Sequence, residues 1–153
     1  MKKHPQAVQV QMRGCWALGN LAYGHDANQA EIARKGGVEA VLEAMAQHTE
    51  AAEVQEQAAH ALRNFAANNP ANQSRLHELA GPRAVLRGMQ AHAGHAGVQE
   101  QGCWALRDLA ADGGSRRAAV EALGAGEAAR QAKDGHKDAP MVTRAAEELL
   151  AVL

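Results

Sequence analysis

Hydrophobic and polar positions along this chain repeat with a period of 44 residues. A valine opens a helical stretch in each period, at Val10, Val54, Val98 and Val142. After each valine, apolar residues recur every three or four positions, which is typical of an amphipathic helix. Two of the stretches share nearly the same phrase, GCWALGNLA at residues 14–22 and GCWALRDLA at residues 102–110. Periods near this length are typical of stacked helical units, so the sequence predicts an all-α, right-handed α-solenoid.

Each period divides into three predicted helices. A short helix covers about residues 28–35 and stops at a pair of glycines, because glycine is common just past a helix C-terminus. A second helix runs over about residues 38–47, and a third, longer helix over about residues 54–67. In the next period Pro82 stands at the start of the second helix, where proline is tolerated.

The periods cover the whole chain, which predicts a single domain over residues 1–153 that starts and ends on a third helix. The predicted units are a partial one at residues 1–23 and three further ones at residues 24–67, 68–111 and 112–153. The last unit has Arg130 and Lys133 where the others have leucine and methionine. We therefore expect its second helix either to fray or to present a polar face to solvent.

The order of a short helix, a glycine turn, a second helix and a third helix carrying W-x-x-x-N resembles the armadillo repeat of importin alpha and beta-catenin. HEAT repeats have a similar period but two helices, so the extra short helix and the double-glycine break favour armadillo. The resemblance covers essentially the whole chain. It implies a protein–protein interaction module that binds an extended peptide along a concave groove lined by the third helices.

A helical wheel separates the first phrase into two faces. The predicted core face contains Val10, Gly14, Cys15, Leu18, Leu21 and Ala22. The opposite face contains Arg13, Trp16, Asn20 and Tyr23. In the second and third periods the same wheel turns outward Gln57, His60, Asn64, Gln101, Trp104 and Asp108. The largest side chains thus lie where the core of their own helix does not explain them.

The outward residues form the candidate site. An asparagine amide donates and accepts at once, so it suits the backbone of an extended peptide, with tryptophans forming slots beside it. Arg63 and Arg107 would suit acidic residues, whereas Glu56 and Glu100 would suit basic ones, which leaves the charge of the peptide open. An alternative is that each tryptophan packs against a neighbouring unit. The candidate peptide-binding residues are Arg13, Trp16, Asn20, Gln57, His60, Arg63, Asn64, Gln101, Trp104, Arg107 and Asp108.

Composition narrows the function further. The formal net charge of −1 gives no bulk attraction to nucleic acid or to an anionic membrane, and no apolar run is long enough to span a bilayer. Two cysteines do not make a disulfide framework, so an intracellular setting, cytoplasmic or nuclear, is the simplest interpretation. His92 and His95 have a metal-like spacing without a nearby cysteine, and catalytic motifs are missing. We expect no metal, no cofactor and no enzyme activity.

A second hypothesis is a structural or self-associating scaffold without a dedicated peptide groove. The first helix follows only residues 1–4, too few to cover its apolar face, and the last ends on a strongly apolar run at residues 149–153. Exposed apolar patches of this kind often mark an interface. This hypothesis predicts a homodimer formed through one or both terminal helices.

Overall fold

The computed structural model describes residues 1–111 and 114–153, and in these residues it contains ten α-helices and no β-strand. The helices are α1 (Val8–Ala22), α2 (Asp26–Arg34), α3 (Gly37–Gln47), α4 (Ala52–Ala66), α5 (Pro70–Glu78), α6 (Gly81–Ala91), α7 (Ala96–Ala110), α8 (Ser115–Ala122), α9 (Ala125–Gly135) and α10 (Pro140–Val152). The prediction of an all-helical chain is confirmed.

The helix boundaries keep the spacing of the sequence pattern. The long helices α1, α4, α7 and α10 begin 44 residues apart, and α3, α6 and α9 do the same. The predicted helices lie within two residues of the observed ones; the third helix, for example, is predicted over 54–67 and observed as α4. The division of the chain into units stays a prediction.

The two glycines between the short and the second helix have different roles. Gly36 has φ 76°, a left-handed conformation that glycine adopts without steric cost. Gly37 lies against the side chain of Ile32, where a Cβ atom would collide with it. In the next period Ala80 takes the left-handed position, with φ 58°. The glycine pair therefore provides first a turn and then a close approach between helices.

The long helices pack side by side. α4 lies between α1 and α7, and α7 also packs against α10. A stripe on α4 that includes Val54, Ala61 and Phe65 is fully buried. Ala61 meets α1 at Gly19, where a Cβ atom on the glycine would lie 3.1 Å from the Cα atom of Ala61. Small residues therefore let adjacent long helices approach closely.

The same stripe on α1 is exposed, which corrects one prediction. Val10 and Leu21 were predicted to face the core, but they are 38% and 57% exposed. They occupy the positions of Val54 and Phe65, one period earlier. The reason is that this stripe packs against a neighbouring long helix, and α1 has its packing neighbours, α2, α3 and α4, on its other sides. Cys15 and Ala22 are buried as predicted.

A buried glutamine ties the beginning of each of three long helices to the chain that precedes it. The glutamines are Gln11, Gln55 and Gln99. In each case Nε2 donates to two backbone carbonyls, ten and seven residues earlier, over 2.8–3.2 Å. Gln55, for example, donates to the carbonyls of Met45 and His48, both at 2.9 Å. We call this arrangement the glutamine bracket.

Histidines 44 residues apart join successive connecting loops. The Nε2 atom of His48 lies 2.6 Å from the carbonyl oxygen of Pro5. The equivalent pairs are His92 with Thr49 at 2.7 Å and His136 with Ala93 at 2.8 Å. Each of these bonds links two loops 43 residues apart, so the loops stack in the same order as the long helices.

The two terminal segments cover more apolar surface than expected. A Cβ atom on Gly14 would lie 2.6 Å from Cγ of Met1, just as one on Gly102 would lie 2.5 Å from Cγ of Met89. The expectation that residues 1–4 cover nothing is therefore wrong, because Met1 occupies the position of Met89 two periods earlier. In α10 Leu149 is fully buried, and Leu150, Val152 and Leu153 are partly buried against the core.

The second helix of the last unit is formed and polar on its outer side. Ala129 and Ala132 of α9 are buried, whereas Arg130 is exposed and pairs with Glu127. Nζ of Lys133 lies 2.6 Å from a carboxylate oxygen of Glu147 on α10. Of the two expected outcomes, the polar face is the one observed.

We predict that Gln55→Ala destabilises the protein strongly. The substitution leaves the carbonyl of Met45 without a donor and removes one of the two donors to the carbonyl of His48, which keeps the backbone N–H of Ala51. An unpaired buried acceptor costs about 1–3 kcal/mol and the loss of a further hydrogen bond about 1 kcal/mol, so the free energy of unfolding should fall by about 2–4 kcal/mol. The matched control is Gln57→Ala, because Gln57 is half-buried on the same helix and donates only to Glu56. Urea unfolding measures both. Equal losses for the two variants would contradict a bracket role for Gln55.

Candidate functional site

Two depressions lie along α4 and α7, one completed by α1 and the other by α2 and the turn that follows α1. The larger, of about 370 Å³, is at the C-terminal ends of α4 and α7 and is called here the arginine pocket. Its lining includes Tyr23, Asp26, Arg63, Asn64, Asn68, Arg107 and Asp108. The smaller, of about 160 Å³, is called the tryptophan pocket. It is lined by Trp16, Asn20, Glu56, Gln57, His60 and Gln101.

The two pockets bring together nine of the eleven predicted site residues. Five of them line the tryptophan pocket and four line the arginine pocket. His60 and Asn64, one helical turn apart on α4, belong to different pockets and therefore connect them. Trp104 lies beneath arginine side chains, and Arg13 is exposed on α1 outside both pockets. Most of the predicted residues thus line two depressions, and their role in binding stays a prediction.

The predicted outward orientation of Asn64 is wrong. The residue is only 3% exposed, and its Nδ2 atom donates to the carbonyl of Gly19 on α1 over 3.0 Å. The cause is the missing side chain at Gly19, where a Cβ atom would lie 2.8 Å from Nδ1 of His60. This gap lets α4 approach α1 until the amide reaches the neighbouring backbone. Asn64 therefore connects α4 to α1 through a hydrogen bond and also lines the arginine pocket.

The two tryptophans differ although their phrases are nearly identical. Trp16 is 55% exposed, as predicted, whereas Trp104 is 5% exposed, so its predicted outward orientation is wrong. Trp104 is flanked by α4 and α10, and three guanidinium groups lie over its ring. Their carbons are 4.4, 5.0 and 5.9 Å from the ring centroid, for Arg107, Arg63 and Arg144 respectively. For Trp104 the alternative of packing against neighbouring helices is the observed one.

Neighbouring residues explain the difference between the two rings. Arg107, on the same helix as Trp104, corresponds to Gly19 on the helix of Trp16, two periods earlier. Arg144, on the helix that follows, corresponds to Glu56. Trp104 is therefore covered by cations, which are attracted to the face of an aromatic ring, and Trp16 is left open beside a carboxylate.

Asp108 is buried instead of outward, because its carboxylate folds back onto Arg107. Nη2 of Arg107 lies 2.6 Å from Oδ1 of Asp108, and Nη1 lies 2.7 Å from Oε2 of Glu148. Arg144 donates to the other oxygen of Glu148 over 3.1 Å. Burial raises the pKa of Asp108, and the hydrogen bond from Arg107 opposes this shift. The bonds from Arg144 and Arg107 lower the pKa of Glu148.

His60 is held as a neutral ring. Its Nε2 atom lies 3.0 Å from Nδ2 of Asn64, so it accepts the amide proton that is not used for Gly19. The proton of the ring is then on Nδ1, which is buried and has no hydrogen-bond partner among the described residues. Burial, with a smaller contribution from the charge of Arg63, lowers the pKa of His60.

Other chemistry is sparse in the described part of the chain. Cys15 and Cys103 are buried free thiols, and burial raises the pKa of each to about 12. Within residues 1–111 and 114–153 no three His, Cys, Asp or Glu side chains converge on a point where a metal ion could bind. His95 accepts the backbone N–H of Val98 at the start of α7. No described helix has both the length and the apolar character needed to cross a membrane.

Sequence reasoning missed the contribution of α10 to this surface. Arg144 covers the Trp104 ring, and Glu148 bridges Arg144 and Arg107. The signal was present, since Glu148 stands 44 residues after Trp104. Glu148 thus departs from the pattern at the tryptophan position and pairs with Arg107 of the preceding long helix.

Comparison with known proteins corrects the resemblance. Residues 13–87, which are 75 of the 153, match a family model described as the spinocerebellar ataxia type 10 protein domain, and this segment is similar to that domain. The resemblance to the armadillo repeats of importin alpha and beta-catenin is therefore wrong. Glycine turns, a 44-residue period and tryptophan on a long helix did not discriminate between families of helical proteins. No curated protein and no solved structure matches the chain.

We predict that protonation of His60 destabilises the protein below about pH 6.5, the ordinary pKa of histidine. Because the pKa of His60 is lowered in the folded state, the unfolded chain binds the proton first as the pH falls. The free energy of unfolding therefore declines below that pH and levels off below the folded-state pKa. His60→Gln should remove this part of the decline in urea unfolding between pH 8 and pH 5.

The matched control for this experiment is Gln57→Ala, which alters the same surface of α4 without removing a titrating group. Its pH profile should run parallel to that of the wild type. If the profile of His60→Gln also runs parallel, the folded state does not favour neutral His60.

Proposed function

We propose that this chain is a protein–protein interaction module, a right-handed α-solenoid that binds an extended peptide segment of a partner protein in a concave groove across α1, α4 and α7. The equal spacing of the long helices, their successive packing and the recurrence of the glutamine bracket support a solenoid. The role is binding rather than catalysis. The two buried free thiols support an intracellular site of action, cytoplasmic or nuclear.

The observation that carries this proposal is the pair of adjoining pockets. Both are lined by residues of α4 and α7; α1 completes the tryptophan pocket, and the turn after α1 together with α2 completes the arginine pocket. His60 in one pocket and Asn64 in the other are one helical turn apart on α4. Packed helices are about 8–10 Å apart, and an extended chain advances about 3.3 Å per residue. A peptide that crosses from α1 to α7 would therefore place about six residues against this surface.

The side chains of the proposed groove have two roles, apolar contact and hydrogen bonding. Trp16 offers an exposed apolar ring, and Asn20 lies one turn further along α1. Oε1 of Gln101 is buried in the same region and has no hydrogen-bond partner among the described residues, so it suits a backbone N–H of a peptide. The Nδ2 atom of Asn64 is already engaged, and Asn64 therefore shapes the surface rather than anchoring the peptide through that atom.

We predict that Trp16→Ala weakens peptide binding without unfolding the protein. A library of acetylated and amidated decapeptides provides ligands, and fluorescence anisotropy of labelled hits measures the dissociation constant. Removing the exposed ring should raise that constant about tenfold, since central aromatic contacts are worth more than 1 kcal/mol. The free energy of unfolding should change by less than about 0.5 kcal/mol, as for other surface substitutions.

The control for this experiment is Trp104→Ala. Trp104 is buried, so its loss should lower the free energy of unfolding by about 3–5 kcal/mol. A library without any binder, or hits that bind Trp16→Ala as tightly as the wild type, would refute the groove.

A second candidate function, self-association through α1, is favoured by one observation. Most of the exposed large apolar side chains in the described residues belong to α1 or follow it directly: Val8, Val10, Trp16, Leu21 and Tyr23. The stripe of Val10 and Leu21 is equivalent to one that is buried against a neighbouring helix in α4. A second copy of the chain is the simplest partner for this stripe.

For this second candidate we predict a dimer in the micromolar range that Leu21→Asp converts to a monomer, as measured by analytical ultracentrifugation. A charge in the stripe would be buried without a partner in the dimer. Met141→Asp is the matched control, because Met141 is an exposed apolar residue on α10 and its change should leave the dimer intact. A wild-type monomer throughout this range would rule out self-association.

A further inference from the structure

The cations around Trp104 outnumber the anions that neutralise them. Arg63, Arg107 and Arg144 all lie within 6 Å of its ring centroid. Two carboxylates, those of Asp108 and Glu148, pair with Arg107 and Arg144. This cluster therefore carries one positive charge in excess.

Arg63 holds that excess charge. Its guanidinium carbon lies 5.0 Å from the Trp104 centroid. In the described part of the chain no hydrogen bond or ion pair joins the guanidinium to an acceptor, and its charge acts on the carboxylate of Asp108 only at longer range, where it lowers the pKa of that group. The side chain is half-buried and lines the arginine pocket beside Asn64. Stacking on an aromatic ring engages the face of a guanidinium and leaves its N–H edge free to donate. Arg63 is thus oriented by Trp104 and open toward the pocket.

We infer that the arginine pocket binds a single carboxylate group, with Arg63 as its main partner. A guanidinium edge matches a carboxylate through two parallel hydrogen bonds, and burial strengthens such a pair. The carboxylate is either an acidic side chain of the bound peptide or its C-terminal group. This inference rests on the proposed peptide-binding function, and it fixes the charge that the sequence left open.

The other charged residues of the pocket determine how much negative charge the ligand carries. Arg107 is already satisfied by Asp108 and Glu148, so it contributes little further attraction. Asp26 also lines the pocket, and its carboxylate repels an anion the more strongly the more negative charge the anion carries. One free guanidinium therefore matches a monoanionic carboxylate and not a dianionic phosphate.

The first test uses small probes and observes Arg63 directly. N-acetyl-glutamate methylamide carries an acidic side chain, and N-acetyl-alanine carries a terminal carboxylate. N-acetyl-glutamine methylamide and the phosphoserine analogue are the neutral and dianionic counterparts. In an NMR titration both monocarboxylates should shift the Arg63 Nε–H and the Trp104 indole N–H signals, and the neutral probe should shift neither. The larger response of the two monocarboxylates identifies the source of the group.

The second test applies a double-mutant cycle to a peptide found in the library. Replacing its acidic residue with glutamine, or its free C-terminus with an amide, should raise the dissociation constant about tenfold. Arg63→Gln should do the same, and combining the two changes should add little further loss. Arg87→Gln is the matched control, since it removes an equal charge from the exposed side of α6 and should stay within twofold of the wild type.

Three results would overturn the inference. They are equal shifts with the neutral probe, carboxylate shifts that persist in Arg63→Gln, and stronger binding of the phosphoserine analogue. Near-ultraviolet circular dichroism confirms that Arg63→Gln is folded. If peptides bind without regard to charge or to Arg63, this inference fails and the proposed function stands. If the monocarboxylates bind at Arg63 and no peptide binds, the carboxylate site stands and the peptide groove fails.

Discussion

The glutamine bracket is the constraint on which the arrangement of the long helices depends. A single buried amide donates both of its protons to backbone carbonyls seven and ten residues upstream. The carbonyl seven residues upstream also accepts a backbone N–H, whereas the one ten residues upstream, of Met45 or Met89, depends on the glutamine. A buried carbonyl without a donor is costly. The bracket therefore fixes the beginning of the long helix relative to the segment and the loop that precede it. The rotation of α4 and α7 about their axes follows from this. That rotation brings Arg63 of α4 over Trp104 of α7.

The residues between the two pockets line the proposed binding surface and also hold the long helices together. Asn64 lines the arginine pocket and also closes the gap between α4 and α1 by donating to Gly19. His60 accepts from the same amide, so the two residues form a short chain of hydrogen bonds that crosses from one pocket to the other. The position of each pocket wall is therefore coupled to the packing of the long helices. For the proposed peptide ligand this means that the hydrogen bonds of Asn64 and His60 are already formed before binding, so these two side chains need no further ordering.

The sequence predicted the positions of helices well and the burial of side chains less well. Helix positions depend on a local pattern, and the helix over residues 54–67 was placed within two residues of α4. Burial depends on neighbours that a wheel of one helix does not contain. Trp104 and Asp108 are covered because α7 has a long helix on each side, whereas Leu21 is exposed because α1 lacks one on its outer stripe. The histidines at 48, 92 and 136 were not singled out from the sequence as a set, and their 44-residue spacing does not identify the carbonyls that they contact.

The fixed separations of these bonds restrict how a chain of this kind can change in length over evolution. Each bracket joins residues seven and ten positions apart, and each histidine bond joins residues 43 positions apart. A single-residue insertion inside one of these spans shifts donor from acceptor and turns the following helix by about 100°. Duplication or deletion of a whole 44-residue segment preserves every separation. Genetic changes of a whole 44-residue segment are therefore compatible with these bonds, whereas shorter insertions and deletions inside the spans break them.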